Sequence, residues 1–180
     1  MGHYIQDGKL YIDDVNIENE AFANLDLGED LNVYLINTKV IGYKAFANAK
    51  IKSITIPYTV EYIGDYAFSG CKNITITHEN TETKTDLSTI GKGAFMDCSN
   101  SNITIFFTGV DAKRLSDMVF YNCKGGYIYS DTVEFIGDSA FYNSNISING
   151  HWDNLSKIGN YAFYNCTGDS VGTYCNNNLQ

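Results

Sequence analysis

A six-residue phrase returns about seven times along this chain and constrains its fold more than any other feature. The clearest copies are Ile63-Gly64-Asp65-Tyr66-Ala67-Phe68, Ile136-Gly137-Asp138-Ser139-Ala140-Phe141 and Ile158-Gly159-Asn160-Tyr161-Ala162-Phe163. The closing aromatics are Phe22, Phe46, Phe68, Phe95, Phe120, Phe141 and Phe163, separated by steps of 24, 22, 27, 25, 21 and 22 residues. A period of this size makes each repeat one coil of a solenoid, because a single coil cannot bury its own apolar face.

Other columns keep register with the phenylalanines. Five residues before each stand Ile17, Ile41, Ile63, Ile90, Leu115, Ile136 and Ile158, and immediately before each stand Ala21, Ala45, Ala67, Ala94, Val119, Ala140 and Ala162. Large, small and aromatic columns at fixed spacing describe side chains stacked over their counterparts in the next coil. Two residues after each phenylalanine come Asn24, Asn48, Gly70, Asp97, Asn122, Asn143 and Asn165. These residue types tolerate a left-handed backbone, so the phrase reads as a short helical turn stopped by a left-handed residue. The glycine column after the isoleucine is interrupted by Glu18 and Ser116. Close packing explains it at least as well as positive φ.

Beyond the turn, Ile54-Thr55-Ile56, Ile74-Thr75-Ile76, Ile103-Thr104-Ile105 and Ile146-Ser147-Ile148 alternate apolar and polar, and the fifth unit has Tyr127-Ile128-Tyr129. Period-two alternation predicts one half-buried parallel strand per coil. The expected fold class is therefore an α/β repeat solenoid with a short parallel strand and a short helical turn in each repeat.

Four of the five cysteines, Cys71, Cys98, Cys123 and Cys166, share one column filled elsewhere by Leu25, Ala49 and Ser144. That is the pattern of a small buried side chain. Metal ligands must converge on one point, which a column along a solenoid axis does not do, so no metal is expected. Disulfides between adjacent coils stay open on distance, although parallel Cβ vectors disfavour the required dihedral. Cys175, in a polar tail, is the thiol expected to react.

A formal charge of −9 with only twelve basic residues excludes nucleic-acid binding through clustered Lys and Arg. The longest apolar run, Ile103 to Val110, is too short for a membrane helix, so no membrane insertion is expected. Acidic and basic residues interrupt the first thirty positions, so either the protein is not exported or a leader has been removed.

Along the chain, Asp7-Gly8 between apolar flanks signals a hairpin, which would cap the first coil over residues 1–16. The solenoid is expected over residues 17–166, with a tail or partial cap over 167–180. The polar run from His78 to Lys84 reads as a loop leaving the wall.

The phrase Ile-Gly-x-x-Ala-Phe-x-x-Cys, with an Ile-Thr-Ile-Pro strand and the further Val60-Glu61-Tyr62-Ile63-Gly64, resembles the BspA-like, Treponema-type leucine-rich repeat. The resemblance covers roughly residues 17 to 166. It departs from the pattern at Glu18, in the fifth unit, and in the Ala, Leu and Ser of the cysteine column. It implies a curved, right-handed leucine-rich-repeat-like coil, found in surface or secreted proteins of host-associated bacteria and some protists, that serves adhesion and protein binding.

The expected function is thus a non-catalytic binding module at the cell surface or secreted, with host or cell-surface proteins or glycoproteins as partners and no cofactor. One candidate surface is the outward strand column Thr55, Thr75, Thr104, Ile128 and Ser147. Another is the tyrosine row Tyr121, Tyr142 and Tyr164, because tyrosine gives contact area with little loss of entropy. A structural spacer in a longer surface protein is the alternative. A carbohydrate-active enzyme would need paired acids such as Asp65 and Asp138, which are better explained as solvated turn positions. No nucleophile elbow, phosphate loop or His-Glu-x-x-His motif is present. Five Asn-x-Ser/Thr sequons, at Asn73, Asn102, Asn145, Asn154 and Asn165, matter only in a eukaryotic source.

Overall fold

A computed structural model describes residues 2–28, 30–82 and 84–169, and Cys175 lies outside them. Each coil contributes a longer strand to one wall and a two-residue strand to another, rather than the single strand expected. The longer strands are β2 (Lys9–Asp13), β4 (Asn32–Ile36), β6 (Ser53–Ile56), β8 (Thr75–His78), β10 (Asn102–Phe106), β12 (Gly126–Tyr129) and β14 (Ser147–Asn149). They form a parallel sheet in that order, and β1 (Gly2–Gln6) adds antiparallel to β2 as its eighth strand. The β1–β2 turn is Asp7-Gly8, with φ of 50° and 70°, the two positive values a type I′ turn requires.

The short strands make two further sheets. β3 (Asn16–Ile17), β5 (Val40–Ile41), β7 (Tyr62–Ile63) and β9 (Thr89–Ile90) pair in one, while β11 (Arg114–Leu115), β13 (Phe135–Ile136) and β15 (Lys157–Ile158) pair in the other. Their inward residues are the isoleucine column of the phrase, so the repeated Ile is a strand residue.

No helix forms among the described residues, which corrects the expected α/β class to a β-solenoid. Two residues per phrase are left-handed rather than one. Besides the expected position after Phe, the residue two before it has positive φ, as at Lys44 (50°), Tyr66 (56°), Met118 (55°) and Tyr161 (55°). Alternate N–H groups then point along the solenoid axis instead of into a helix. In the second coil, Lys44, Phe46 and Asn48 donate to the carbonyls of Asp65, Ala67 and Ser69. The intervening Ala45, Ala47 and Ala49 donate back three residues within their own coil. A left-handed L-residue costs roughly 1–2 kcal/mol, and the ladder between coils offsets this by pairing every one of these buried backbone groups.

The phenylalanines stack face to face through the centre, with centroids 5.1 to 5.4 Å apart from Phe22 to Phe163. The glycine column is explained by close approach. A Cβ at Gly91 would lie 2.4 Å from the Asp65 nitrogen, and one at Gly159 2.5 Å from the Asp138 nitrogen. Glu18 is allowed because β3 is an edge strand with no coil before it.

Cys71, Cys98, Cys123 and Cys166 are free and buried. The Cys71 and Cys98 thiols donate to the carbonyls of Phe46 and Phe68, at 3.1 and 3.2 Å. Burial pushes the Cys71 thiol up in pKa, and the neighbouring Cys123 thiol together with burial does the same to Cys98.

His78 does not open a loop: it is the last residue of β8, paired with Ile56 and 1% exposed. Its Nδ1 accepts the Phe106 N–H at 3.3 Å, while Nε2 is buried without a hydrogen-bond partner. The excursion from the wall starts at Glu79 and is closed by paired backbone bonds between Thr81 and Lys84. Thr85 is buried again, its hydroxyl bonded to the Phe106 carbonyl at 2.8 Å.

Candidate recognition surface

Two rows of outward positions run across the eight-stranded sheet, flanked by Asp13 and Ile36 at one end and by Phe106, Tyr129 and Asn149 at the other. Strand register places Tyr4, Tyr11, Tyr34, Thr55, Thr77, Thr104, Tyr127 and Ser147 in one. Lys9, Asn32, Ser53, Thr75 and Asn102 form the other. The expected column is thereby corrected at two places. Thr75 is exposed but belongs to the second row, beside Ser53, and Ile128 points inward, fully buried opposite Ile105. Thr55, Thr104 and Ser147 do share a row, completed by Tyr34, Thr77 and Tyr127.

The sequence carried a signal for half of this. Counting nine residues from Phe46, Phe68 and Phe95 gives Thr55, Thr77 and Thr104. The fifth coil is two residues shorter at this point, so Tyr127 enters the row at a different count.

Beyond β2, which carries Lys9 and Asp13, the strands of this surface are free of charge. Strands β4, β6, β8, β10, β12 and β14 contain no Asp, Glu, Lys or Arg, in a chain with twelve basic and twenty-one acidic residues. Charges gather instead where the short strands begin, as in the pairs Lys39–Glu61 (2.9 Å) and Lys113–Glu134 (2.8 Å). Both are solvent-exposed and contribute little to stability.

Tyrosines rise at both ends of the neutral band. Tyr4, Tyr11 and Tyr34 stack at 5.0 and 5.3 Å, with the Lys9 ammonium 5.5 Å from the Tyr34 ring centre. At the other end, Phe106 packs edge-on against Tyr127 at 6.2 Å and lies 6.0 Å from Tyr129. The Tyr129 hydroxyl donates to Asp131 at 2.7 Å. Burial opposes ionisation of Asp131, but Tyr129 and the N–H and ring of His151 outweigh it and lower the carboxyl's pKa.

The row Tyr121, Tyr142 and Tyr164 is also a stack, with both centroid distances 5.0 Å. The faces lie against one another, so the row turns ring edges and hydroxyls outward; Tyr164 is the most open, at 55% exposure. Beside it runs a side-chain amide ladder. Asn122 donates to Asp97, Asn143 to Asn122 and Asn165 to Asn143, at 2.8 to 2.9 Å.

Asp65 and Asp138 are exposed, as turn positions are, but they also bond between coils. Each accepts a backbone N–H from the next coil, Lys92 at 2.8 Å and Asn160 at 2.7 Å. They lie three coils apart, roughly 14 Å at one strand spacing per coil. That exceeds the roughly 5–9.5 Å separating paired glycosidase carboxylates.

Two strand walls, one turn wall and an internal phenylalanine file define a repeat solenoid of the leucine-rich-repeat type. The model of the BspA type leucine-rich repeat region matches residues 12–125 and 39–169, with six copies, and the chain belongs to that family. No curated protein and no solved structure matches it.

Proposed function

We propose that this chain is a non-catalytic protein-recognition module of a surface or secreted protein, binding host or cell-surface proteins through the outer face of its eight-stranded sheet. The observation that carries this reading is the absence of charge from six successive strands of an acidic chain. Depletion of charge with enrichment in tyrosine is what distinguishes interface cores from ordinary surface. The family supports it as well, since repeat solenoids present extended surfaces suited to binding proteins. The Tyr121–Tyr142–Tyr164 stack is the weaker candidate, because its ring faces are already engaged with one another.

The test is binding of purified extracellular-matrix and cell-surface proteins to the immobilised chain. Thr77→Glu, which puts a charge in the middle of the face, is expected to abolish binding that Tyr121→Ala/Tyr142→Ala/Tyr164→Ala leaves largely intact. The reverse pattern moves the site to the tyrosine stack.

A further inference from the structure

We propose that the neutral band between Tyr34 and Tyr127 is a trough for an uncharged oligosaccharide, about four sugars long, carried by a glycoprotein partner. This rests on the recognition surface assigned above.

Shape is the first argument. Between the two tyrosines the row holds only Thr55, Thr77 and Thr104, and the parallel row beside it holds Ser53, Thr75 and Asn102. Short side chains thus floor a channel closed by tall rings at both ends. Tyr34 and Tyr127 are four strands apart, roughly 19 Å at ~4.8 Å per strand, the length of about four pyranose rings. One face of Tyr34 is covered by Tyr11 at 5.3 Å; the other looks along the row toward Thr55. Tyr127 is braced by Phe106, with the rings inclined at 86°.

Chemistry selects the occupant. Each threonine or serine hydroxyl both donates and accepts, as sugar hydroxyls do. The apolar ring of a pyranose packs on an aromatic face that also carries a hydroxyl, as tyrosine does. The Lys9 ammonium stands at the Tyr34 end, 5.5 Å from that ring centre, but no charged side chain of β4, β6, β8 or β10 borders the trough, so an acidic sugar or charged peptide would be desolvated along the threonines without a counter-charge. An extended peptide satisfies its backbone by joining a sheet edge, and the band is a sheet face.

The test is a calorimetric and NMR titration of the full chain with cellotetraose, mannotetraose and tetra-N-acetylchitotetraose, with tetragalacturonate as the charged control. At least one neutral tetrasaccharide is expected to bind, with affinity falling about tenfold or more, at least 1.4 kcal/mol, in Tyr34→Ala, Tyr127→Ala and Thr77→Glu but not in Tyr164→Ala. Circular dichroism and melting confirm that each variant is folded. Failure of all three neutral probes to bind overturns the proposal, as does equal binding of tetragalacturonate or indifference to Tyr34→Ala and Thr77→Glu. A matrix protein that binds equally after its glycans are removed, and still loses binding to Thr77→Glu, retains the recognition surface and removes the oligosaccharide. A matrix protein indifferent to Thr77→Glu removes the surface itself.

Discussion

The Ser116 hydroxyl donates to the Ile90 carbonyl at 2.6 Å, where the other coils use a glycine N–H to reach the corresponding carbonyl. Gly42, Gly64, Gly91, Gly137 and Gly159 bond in that way to Ile17, Ile41, Ile63, Leu115 and Ile136 at 2.7 or 2.8 Å. A serine Cβ holds the backbones apart, and β9 and β11 fall into separate sheets at this coil. The hydroxyl bridges the widened gap and keeps the carbonyl paired. Ser116→Ala is therefore expected to lose roughly 1–3 kcal/mol by orphaning the Ile90 carbonyl. Ser116→Gly, which lets the N–H approach, is expected to be at least as stable as the parent. Urea unfolding of the two variants checks this; equal losses would remove the compensating role of the hydroxyl.

The small column is packed to its limit. Ala67 is fully buried next to Phe68, whose ring stacks on Phe46 and Phe95 at 5.3 and 5.4 Å. Ala67→Phe is expected to overpack the core by roughly 1–3 kcal/mol, and a thermal melt without loss would place this column outside the stack.

His78 makes stability depend on pH. Burial lowers its pKa to about 4 from the ordinary 6.5, with the Pro57 backbone offsetting only part of that effect. Because the folded pKa lies below the unfolded one, the unfolded chain takes up the proton first. Stability is full above pH 6.5 and declines as pH falls toward 4, by on the order of 3 kcal/mol at 1.36 kcal/mol per pKa unit. Protonation also removes the lone pair that accepts the Phe106 N–H. His78→Leu is expected to be less stable at neutral pH, having orphaned that N–H, but to show a flatter profile from pH 6.5 to 4. An unchanged slope in denaturant unfolding at several pH values would assign the acid response to other groups.

Gly70 interrupts the amide ladder between Asn48 and Asp97. Its φ of 72° suits asparagine, and the Asn48 Oδ1 lies only 2.1 Å from where a Cβ would stand. That oxygen ends a short rotatable side chain, which can swing into the ladder geometry seen elsewhere. Gly70→Asn is expected to stabilise by roughly 0.5–1.5 kcal/mol, one net hydrogen bond, read as a rise in melting temperature. A fall would show that Asn48 cannot move.

The four described cysteines are buried, and the Cys71 and Cys98 thiols have raised pKa values. Reaction with a thiol reagent at pH 8 is expected to leave all four unmodified in the folded chain and to label them on unfolding, as peptide mass spectrometry would show.

The sequence by itself determined the solenoid, its period and its interior. Phenylalanine, isoleucine, alanine and cysteine recur at fixed offsets because a stacked coil must present matching side chains to its neighbours, and that demand is written locally in every repeat. It also fixed the Asp7-Gly8 hairpin and the first left-handed position, where asparagine and glycine announce the backbone they favour. Only the tertiary structure decided that the turn is no helix, since the second left-handed position holds Lys44, Tyr66 and Met118, residues with no local preference for it, kept there by bonds from the next coil. The same holds for the buried His78 and for the neutral row from Tyr34 to Tyr127. Both follow from which residue of one strand lies opposite which residue of the next, and coils of unequal length hide that register from the linear chain.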